Sequence, residues 1–261
     1  MTQEAPSGDI GVAIHDGIAM VTLARAPVNA LSPAMYREVA RIFDQLSDQD
    51  DVRVVVLSSG CKVFSAGADL KARREAIKGP GDGWELLRLA REAFYSIKDC
   101  RKPVIAAING SALGAGFGLA AHCDILVASE NASVGLPEID VGLMGGGTVL
   151  QRLFSPSTTR RMMFTGYRMP GAELYRLGVV EACVPPEDLI ETALVIAREI
   201  ASKSPLAIRI SKETANAIEE MPARESYRYE QSRTAEMASS ADAKEAVAAF
   251  MEKRAPVFTG R

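Results

Sequence analysis

The stretch INGSALGAGFGLAAHCD (Ile108 to Asp124) decides how this chain is expected to fold. The residues leading into it, PVIAAING (Pro103 to Gly110), form an apolar run typical of a buried strand, and a helical pattern follows from about Gly114 to Ala121. Small residues at such a junction let backbone N–H groups approach a ligand closely. A helix N-terminus also carries unpaired N–H groups and a partial positive charge. The stretch therefore predicts a strand-to-helix junction where the N–H of Ala115 can donate to an anionic oxygen.

Two further glycine-rich segments lie on either side of this junction. FSAGADL (Phe64 to Leu70) offers a second small donor, Ala68, and VGLPEIDVGLMGGG (Val134 to Gly147) offers Glu138 in otherwise apolar surroundings. Two N–H donors and one carboxylate are the groups that catalysis at a carbonyl requires. A dinucleotide-binding loop is not expected, because GAGFG lacks the third glycine of the G-x-G-x-x-G pattern.

The remaining patterns predict alternating strands and helices. Residues 10–24 indicate a hairpin with a turn at Asp16-Gly17, and Ser32-Pro33 begins a helix that runs to about Leu46. Residues 52–59 indicate a buried strand, whereas the charged, glycine-bearing residues 71–83 indicate a mobile loop.

Later segments continue this alternation. We expect a helix over 84–97, a strand over 124–128 and a helix after Gly147, and from Pro185 onward the pattern is helical only. The fold class is therefore α/β, with the strand-strand-helix recurrence indicating a spiral. A boundary near residue 200 divides an α/β core (1–200) from a C-terminal helical region (201–261).

Composition limits the class of protein. The chain has 261 residues, 48% hydrophobic and 24% charged, with a net charge of −3, which predicts a soluble globular protein and gives no electrostatic reason to expect nucleic acid as a partner. No apolar run reaches membrane-spanning length, and the acidic N-terminus MTQEAPSGD is not expected to be a signal peptide. The four cysteines, which form no C-x-x-C pair, predict neither a metal site nor a disulfide framework and fit a reducing cytoplasm; they are Cys61, Cys100, Cys123 and Cys183.

The three glycine-rich segments resemble those of the crotonase (enoyl-CoA hydratase/isomerase) superfamily. The resemblance runs from VTLARAPVNALS (Val21 to Ser32) to AAFMEKR (Ala248 to Arg254). It implies a crotonase-like spiral of ββα units with a C-terminal helical oligomerisation region, assembled as a homotrimer or a dimer of trimers. The implied ligand is an acyl-CoA thioester, with no metal and no cofactor other than the coenzyme A of the substrate.

The resemblance also implies roles for particular residues. Ala68 and Ala115 would form the oxyanion hole that binds the thioester oxygen, and Glu138 would be the catalytic acid/base. Lys253, near the C-terminus, would contact CoA, and Arg254 beside it matches the same basic helix. The complete set of implied CoA- and substrate-binding residues is Ala66, Asp69, Leu70, Lys71, Gly114 and Lys253.

One position departs from the hydratase pattern. Enoyl-CoA hydratases of this family hold a water between two glutamates, of which the first would stand at Gly118 and the second is Glu138. The further acid of dienoyl-CoA isomerases would stand at Gly146. Because a single carboxylate in apolar surroundings has a raised pKa and can move a proton between two carbons, the sequence favours double-bond isomerisation. Monofunctional enoyl-CoA isomerases are also similar at PVNALS (Pro27 to Ser32), and hydration is the runner-up.

Besides hydration, two alternatives remain open at this point. Phenylpropenoyl-CoA hydratase-lyases also use one glutamate and add a tyrosine, for which Tyr227 or Tyr229 would stand. A non-catalytic acyl-CoA-binding relative is favoured if Gly118 marks decay of the site. A hydrolytic triad has little support, since no G-x-S-x-G is present; His122 is expected to be a helix C-terminal cation or a packed residue, and Asp140 a structural acid.

Overall fold

The computed structural model describes residues 8–261 and is built around a six-stranded sheet. The expectation that the N-terminus is not a signal peptide falls largely on residues 1–7, outside that range. The strands are β1 (Ile10–His15), β2 (Ile18–Leu23), β3 (Ala30–Leu31), β4 (Val54–Ser59), β5 (Gly67–Ala68), β6 (Val104–Ile108), β7 (Ser111–Leu113), β8 (Ile125–Ser129), β9 (Ser133–Gly135), β10 (Met169–Pro170) and β11 (Ala182–Val184). The helices are α1 (Pro33–Asp48), α2 (Leu70–Ala76), α3 (Asp82–Asp99), α4 (Ala115–Ala121), α5 (Gly147–Leu153), α6 (Pro156–Thr165), α7 (Gly171–Arg176), α8 (Leu189–Ala201), α9 (Pro205–Ile218), α10 (Ala223–Ala238) and α11 (Ala241–Glu252), with 3-10 turns at Pro137–Val141 and Pro186–Asp188.

The large sheet has the order β1-β2-β4-β6-β8-β11, in which only β1 and β2 pair antiparallel. Two small sheets, β10-β9-β7 and β3-β5, lie where the chain leaves the carboxyl ends of the long strands. A single parallel bridge between Ser65 and Ala112 links the segment that precedes β5 to β7. This repetition of strand, strand and helix confirms the predicted crotonase-like α/β spiral.

Local signals at the start of the chain are confirmed. The two turn residues of the β1–β2 hairpin, Asp16 and Gly17, both have positive φ (50° and 77°), as a type I′ turn requires. Helix α1 begins at Pro33, and the Ser32 hydroxyl caps it by accepting the N–H of Met35 at 3.2 Å.

The predicted loop over 71–83 is wrong in its first half. Residues 70–76 form α2, whose N-terminus is capped by the Asp69 carboxylate, which accepts the N–H of Ala72 at 2.9 Å. Helix α2 buries none of its residues, so no apolar periodicity marked it in the sequence. Strong helix formers and the cap stabilise it instead, and only 77–81 separate it from α3.

Alternating strand residues face two separate layers. Val55 and Leu57 of β4 point into a core shared with α1, α3 and α4, whereas Val54 and Val56 point into a second core covered by α8. Because both faces are covered, the central strands are apolar on both sides, which explains the continuous apolar run over 54–57 that predicted β4.

The C-terminal helices are joined to this core by polar contacts. The Lys212 ammonium on α9 donates to the carbonyl oxygens of Ile97 and Lys102 (3.3 and 3.0 Å) and to the Asp124 carboxylate (2.8 Å). Within the C-terminal region, buried Asp242 in the first turn of α11 accepts the hydroxyl of Ser204, the cap of α9, at 2.6 Å. Across the described range 8–261, no helix is long and apolar enough to cross a membrane.

Candidate active site

The loops that follow β4 and β6 bring Ala68 and Ala115 together. Gly67, beside Ala68, has φ +93°, and a Cβ built on it would stand 2.7 Å from the Leu113 carbonyl oxygen and 3.4 Å from the Ala115 nitrogen. Such an approach excludes any side chain at residue 67. The structure therefore places the backbones of the two predicted donors side by side.

Ala115 is the first residue of α4, so its N–H has no acceptor within the helix. The preceding residue, Gly114, has φ 52° and ψ −124°, and its own N–H donates to the Gly135 carbonyl oxygen at 2.9 Å. This turn fixes the direction of the helix N-terminus by tying it to β9. A helix of seven residues adds only a modest dipole, and the oriented N–H group is the main feature of the junction.

Glu138 lies against this junction. It stands on the 3-10 turn Pro137–Val141, whose backbone is fixed where the Glu138 carbonyl oxygen accepts the N–H of Leu143 at 2.9 Å. A Cβ added to Gly114 would contact the Glu138 Oε1 atom and would stand 3.2 Å from the carboxyl carbon. The Oε2 atom is buried and has no hydrogen-bond partner among the described residues.

This burial determines the proton affinity of Glu138. Removing the carboxylate from water raises its pKa above the ordinary glutamate value, and the one opposing influence is a hydrogen bond from its own backbone N–H. No cation neutralises Oε2 within the described residues. An acid with a raised pKa beside two small-residue backbone segments can remove a proton from a carbon next to a carbonyl while N–H groups hold the developing oxyanion.

An aromatic ring occupies the space beside Gly118. A Cβ built at residue 118 would stand 2.6 Å from Cζ of Phe94. The Phe94 ring stacks on His122, with centroids 5.3 Å apart and an interplanar angle of 20°, and meets the Tyr36 ring edge-on at 6.4 Å. We call these three rings the aromatic wall. Sequence patterns gave no sign of the wall, because Tyr36 and Phe94 look like ordinary apolar positions of α1 and α3.

His122 is a packed residue and not a helix-terminal cation. Its Nδ1 donates to the Gly118 carbonyl oxygen at 2.7 Å. Burial lowers the His122 pKa, so the ring is neutral near pH 7. Burial also raises the pKa of the Tyr36 phenol, and the charge of nearby Glu138 acts in the same direction.

The other predicted binding residues lie on α2 and around it. The Asp69 carboxylate is occupied as the α2 cap and in an ion pair with Arg25 at 2.9 Å, and the hydrogen bond from Ala72 is the main reason why its pKa is lowered. Leu70 and Lys71 are exposed in the first turn of α2. The exposed Ala66 donates its N–H to the Val28 carbonyl oxygen at 2.9 Å.

The remaining candidates are more distant in the chain. Lys253 ends α11 in a left-handed conformation with φ 55° and is exposed. Within residues 8–261, no hydrogen bond or ion pair joins it to Glu138. Arg254 beside it is held by Glu245 at 2.6 Å. Tyr227 is 62% exposed on α10, and Tyr229 is half-buried on the same helix.

Two surface clefts of about 420 and 470 Å³ lie away from this cluster, and neither is lined by Glu138, Ala68 or Ala115. The first is bounded by the amino-terminal ends of β4 and β6, and the second by α1, α2 and α3. In residues 8–261, no group of three His, Cys, Asp or Glu side chains could hold a metal ion. The four cysteines are unpaired.

Comparisons with a family model and with known proteins point to the same family. A model described as enoyl-CoA hydratase/isomerase matches residues 13–261. The chain is 38% identical to a carnitinyl-CoA dehydratase of Citrobacter koseri over 95% of this chain and 97% of that protein. It is 39% identical to a carnitinyl-CoA dehydratase of Salmonella typhi over 92% of this chain and 94% of that protein.

Solved structures agree with these matches. An enoyl-CoA hydratase of Bacillus anthracis superposes with a TM-score of 0.92 at 32% identity, covering 97% of this chain and 100% of that one. An enoyl-CoA hydratase subunit of Geobacillus kaustophilus superposes with a TM-score of 0.89 at 36% identity, covering 98% and 100%.

Proposed function

The chain belongs to the enoyl-CoA hydratase/isomerase family, and we propose that it removes water from a 3-hydroxyacyl-CoA, and adds it back, through a thioester enolate. The observation that carries the proposal is the Glu138 Oε2 atom, buried and without a partner beside the N-terminus of α4. A buried carboxylate oxygen that the chain leaves unpaired is available to a proton of the substrate.

The steps follow from the groups in reach. The thioester oxygen accepts hydrogen bonds from the N–H groups of Ala68 and Ala115, each of which is worth about 3–4 kcal/mol of barrier. Glu138 takes the proton from C2, and the C–H electron pair becomes the enolate. That pair then forms the C2–C3 double bond as the C3–O bond breaks, and Glu138 returns its proton to the departing oxygen. One carboxylate completes the cycle if proton and hydroxyl leave from the same face.

Two facts rank the possible overall reactions. The relatives are named carnitinyl-CoA dehydratase and enoyl-CoA hydratase, which supports water elimination and addition and reverses the order that the sequence favoured. Double-bond isomerisation is the second candidate. It is favoured by the aromatic wall at Gly118, because a site with no second acid holds water less firmly, and Glu138 would then return its proton to C4.

Wild type and Glu138→Gln test the proposal on four esters in D2O: 3-hydroxybutyryl-CoA, carnitinyl-CoA, a 3-enoyl-CoA and a phenylpropenoyl-CoA. The expected result is dehydration of a 3-hydroxyacyl ester together with Glu138-dependent deuterium uptake at C2. Turnover of the 3-enoyl ester alone would establish the isomerase instead, and turnover of the phenylpropenoyl ester alone the hydratase-lyase. Tight binding of all four esters with neither turnover nor C2 exchange would overturn catalysis and identify a binding protein.

A further inference from the structure

Residue 118 lies one turn after Ala115 on α4, so a side chain at 118 projects from the same face of the helix. In this chain that direction is closed, because a Cβ at residue 118 would meet Cζ of Phe94 at 2.6 Å and its two neighbouring ring carbons at 2.9 and 3.0 Å. We propose that Phe94 is a specificity-determining residue: its ring fills the volume that a second acid would need, so every proton transfer falls to Glu138. This inference rests on the proposed function.

The Phe94 ring, carried by α3, is held in place from two other helices. Tyr36 of α1 meets it edge-on, and the neutral His122 at the end of α4 stacks on its face. The hydrogen bond from His122 to the Gly118 carbonyl oxygen then fixes that face relative to α4. Since aromatic pairs of this geometry stabilise a fixed arrangement, the ring is part of the site's shape and does not merely fill a gap.

A filled volume differs chemically from an empty one. If residue 118 were a glycine beside open space, water could enter and stand beside the reacting carbons. The Phe94 ring replaces that water with an apolar surface. We therefore expect the site to remove water from a 3-hydroxyacyl ester through Glu138 alone, and to hydrate unactivated 2-enoyl esters slowly because no second acid holds the attacking water.

The packing premise is tested without any substrate. Alanine is a better helix former than glycine, so Gly118→Ala should raise Tm where there is room and lower it where the ring blocks the new methyl group. We expect Gly118→Ala to lower Tm in the wild-type background and to raise it in a Phe94→Ala background. A Tm change of the same sign and size in both backgrounds would overturn the premise.

The specificity claim is tested by hydration of crotonyl-CoA. Phe94→Ala/Gly118→Glu should hydrate it at least tenfold faster than Phe94→Ala, while Phe94→Ala/Gly118→Gln, which has the same shape without the charge, should show no gain. Phe94→Ala/Gly118→Asp is a shorter alternative if the glutamate variant does not fold. Equal rates in the acid and amide variants would overturn the claim.

The two levels can fail separately. Suppose the wild-type protein dehydrates its ester through Glu138, but the Gly118→Glu and Gly118→Asp variants hydrate crotonyl-CoA no faster than Phe94→Ala. This result would reject the role of Phe94 and leave the proposed function standing. A second outcome is a wild-type protein that shows neither turnover nor C2 exchange while the Tm effect of Gly118→Ala reverses as expected. That outcome would reject the proposed function and the specificity role of Phe94. It would still confirm that the Phe94 ring fills the volume beside residue 118.

Discussion

The Glu138 carboxyl group lies so close to the Cα of Gly114 that a Cβ on residue 114 would overlap its Oε1 atom and force the carboxyl group to move. The same residue turns the chain into α4, at a φ of 52° and a ψ of −124° that side chains rarely adopt. Gly114 thus sets the direction of the Ala115 N–H and leaves room for the Glu138 carboxyl group beside it.

Glu138→Gln should keep the fold and the binding of CoA esters while lowering kcat by about 10² or more, the range for general acid–base groups. Asp140→Asn is the matched control, since Asp140 lies on the same 3-10 turn and is exposed; its kcat should stay within about twofold. Steady-state kinetics on the ester that wild type accepts measures both. A Glu138→Gln enzyme with near-normal turnover removes Glu138 from the mechanism.

Gly114→Ala should abolish most activity, because the new methyl group meets the Glu138 carboxyl and the backbone conformation becomes strained. Gly142→Ala is the control for a positive-φ glycine without a steric contact: Gly142 has a φ of 72°, but a Cβ there meets nothing within 4 Å. By urea unfolding, Gly142→Ala should lose about 1–2 kcal/mol of stability from its left-handed conformation alone, and Gly114→Ala should lose at least as much, because side chains rarely adopt its conformation. Only Gly114→Ala should also lose activity, and an equal loss in Gly142→Ala contradicts this account.

The raised pKa of Glu138 should shift the acid limb of the kcat/KM profile above the ordinary glutamate value of about 4.3. The same shift affects stability. Since the folded state binds this proton more tightly than the unfolded state, stability falls as pH rises from the unfolded pKa through the folded one. Glu138→Gln should therefore have the higher Tm near pH 7, with the difference vanishing in acid. A constant difference from pH 4 to pH 8 contradicts the assignment.

Lys212→Met should destabilise the chain by about 1–3 kcal/mol, because it removes a buried ammonium that binds the Asp124 carboxylate and the carbonyl oxygens of Ile97 and Lys102. Lys203→Met is the control: its ion pair with Glu199, at 3.8 Å, is exposed and should contribute no more than about 0.5 kcal/mol. Urea unfolding of the full chain gives both values. Equal effects would mean that the α9 contact to the core is energetically unimportant.

The full chain should assemble as a trimer or a dimer of trimers through its C-terminal helices. Helix α11 leaves Val247, Phe250 and Met251 at 65%, 82% and 77% exposed, and a patch of this kind favours association. Phe250→Glu should reduce the mass measured by light scattering at micromolar concentration, whereas Phe164→Glu, at a residue 70% exposed on α6, should not. A monomeric wild-type chain, or dissociation only by Phe164→Glu, contradicts the expected interface.

Much of the fold is readable because its signals are local. The positive-φ turn at Asp16-Gly17, the Ser32 cap and the continuous apolar run of β4 each depend on a few neighbouring residues. Helix α2 was missed because nothing in it is buried, and buried periodicity is the signal from which helices are recognised in sequence.

By itself, the sequence determined the family, the spiral of ββα units and the residue types at the site: small residues at 68 and 115, one acid at 138 and no acid at 118. These features can be recognised in the sequence because each depends on a short segment of neighbouring residues. Only the tertiary structure decided that Glu138 Oε2 is left without a partner and that the space at Gly118 is filled. Phe94 stands on a different helix from Gly118, and contacts between segments so far apart in sequence leave no local pattern, because they depend on how whole helices pack.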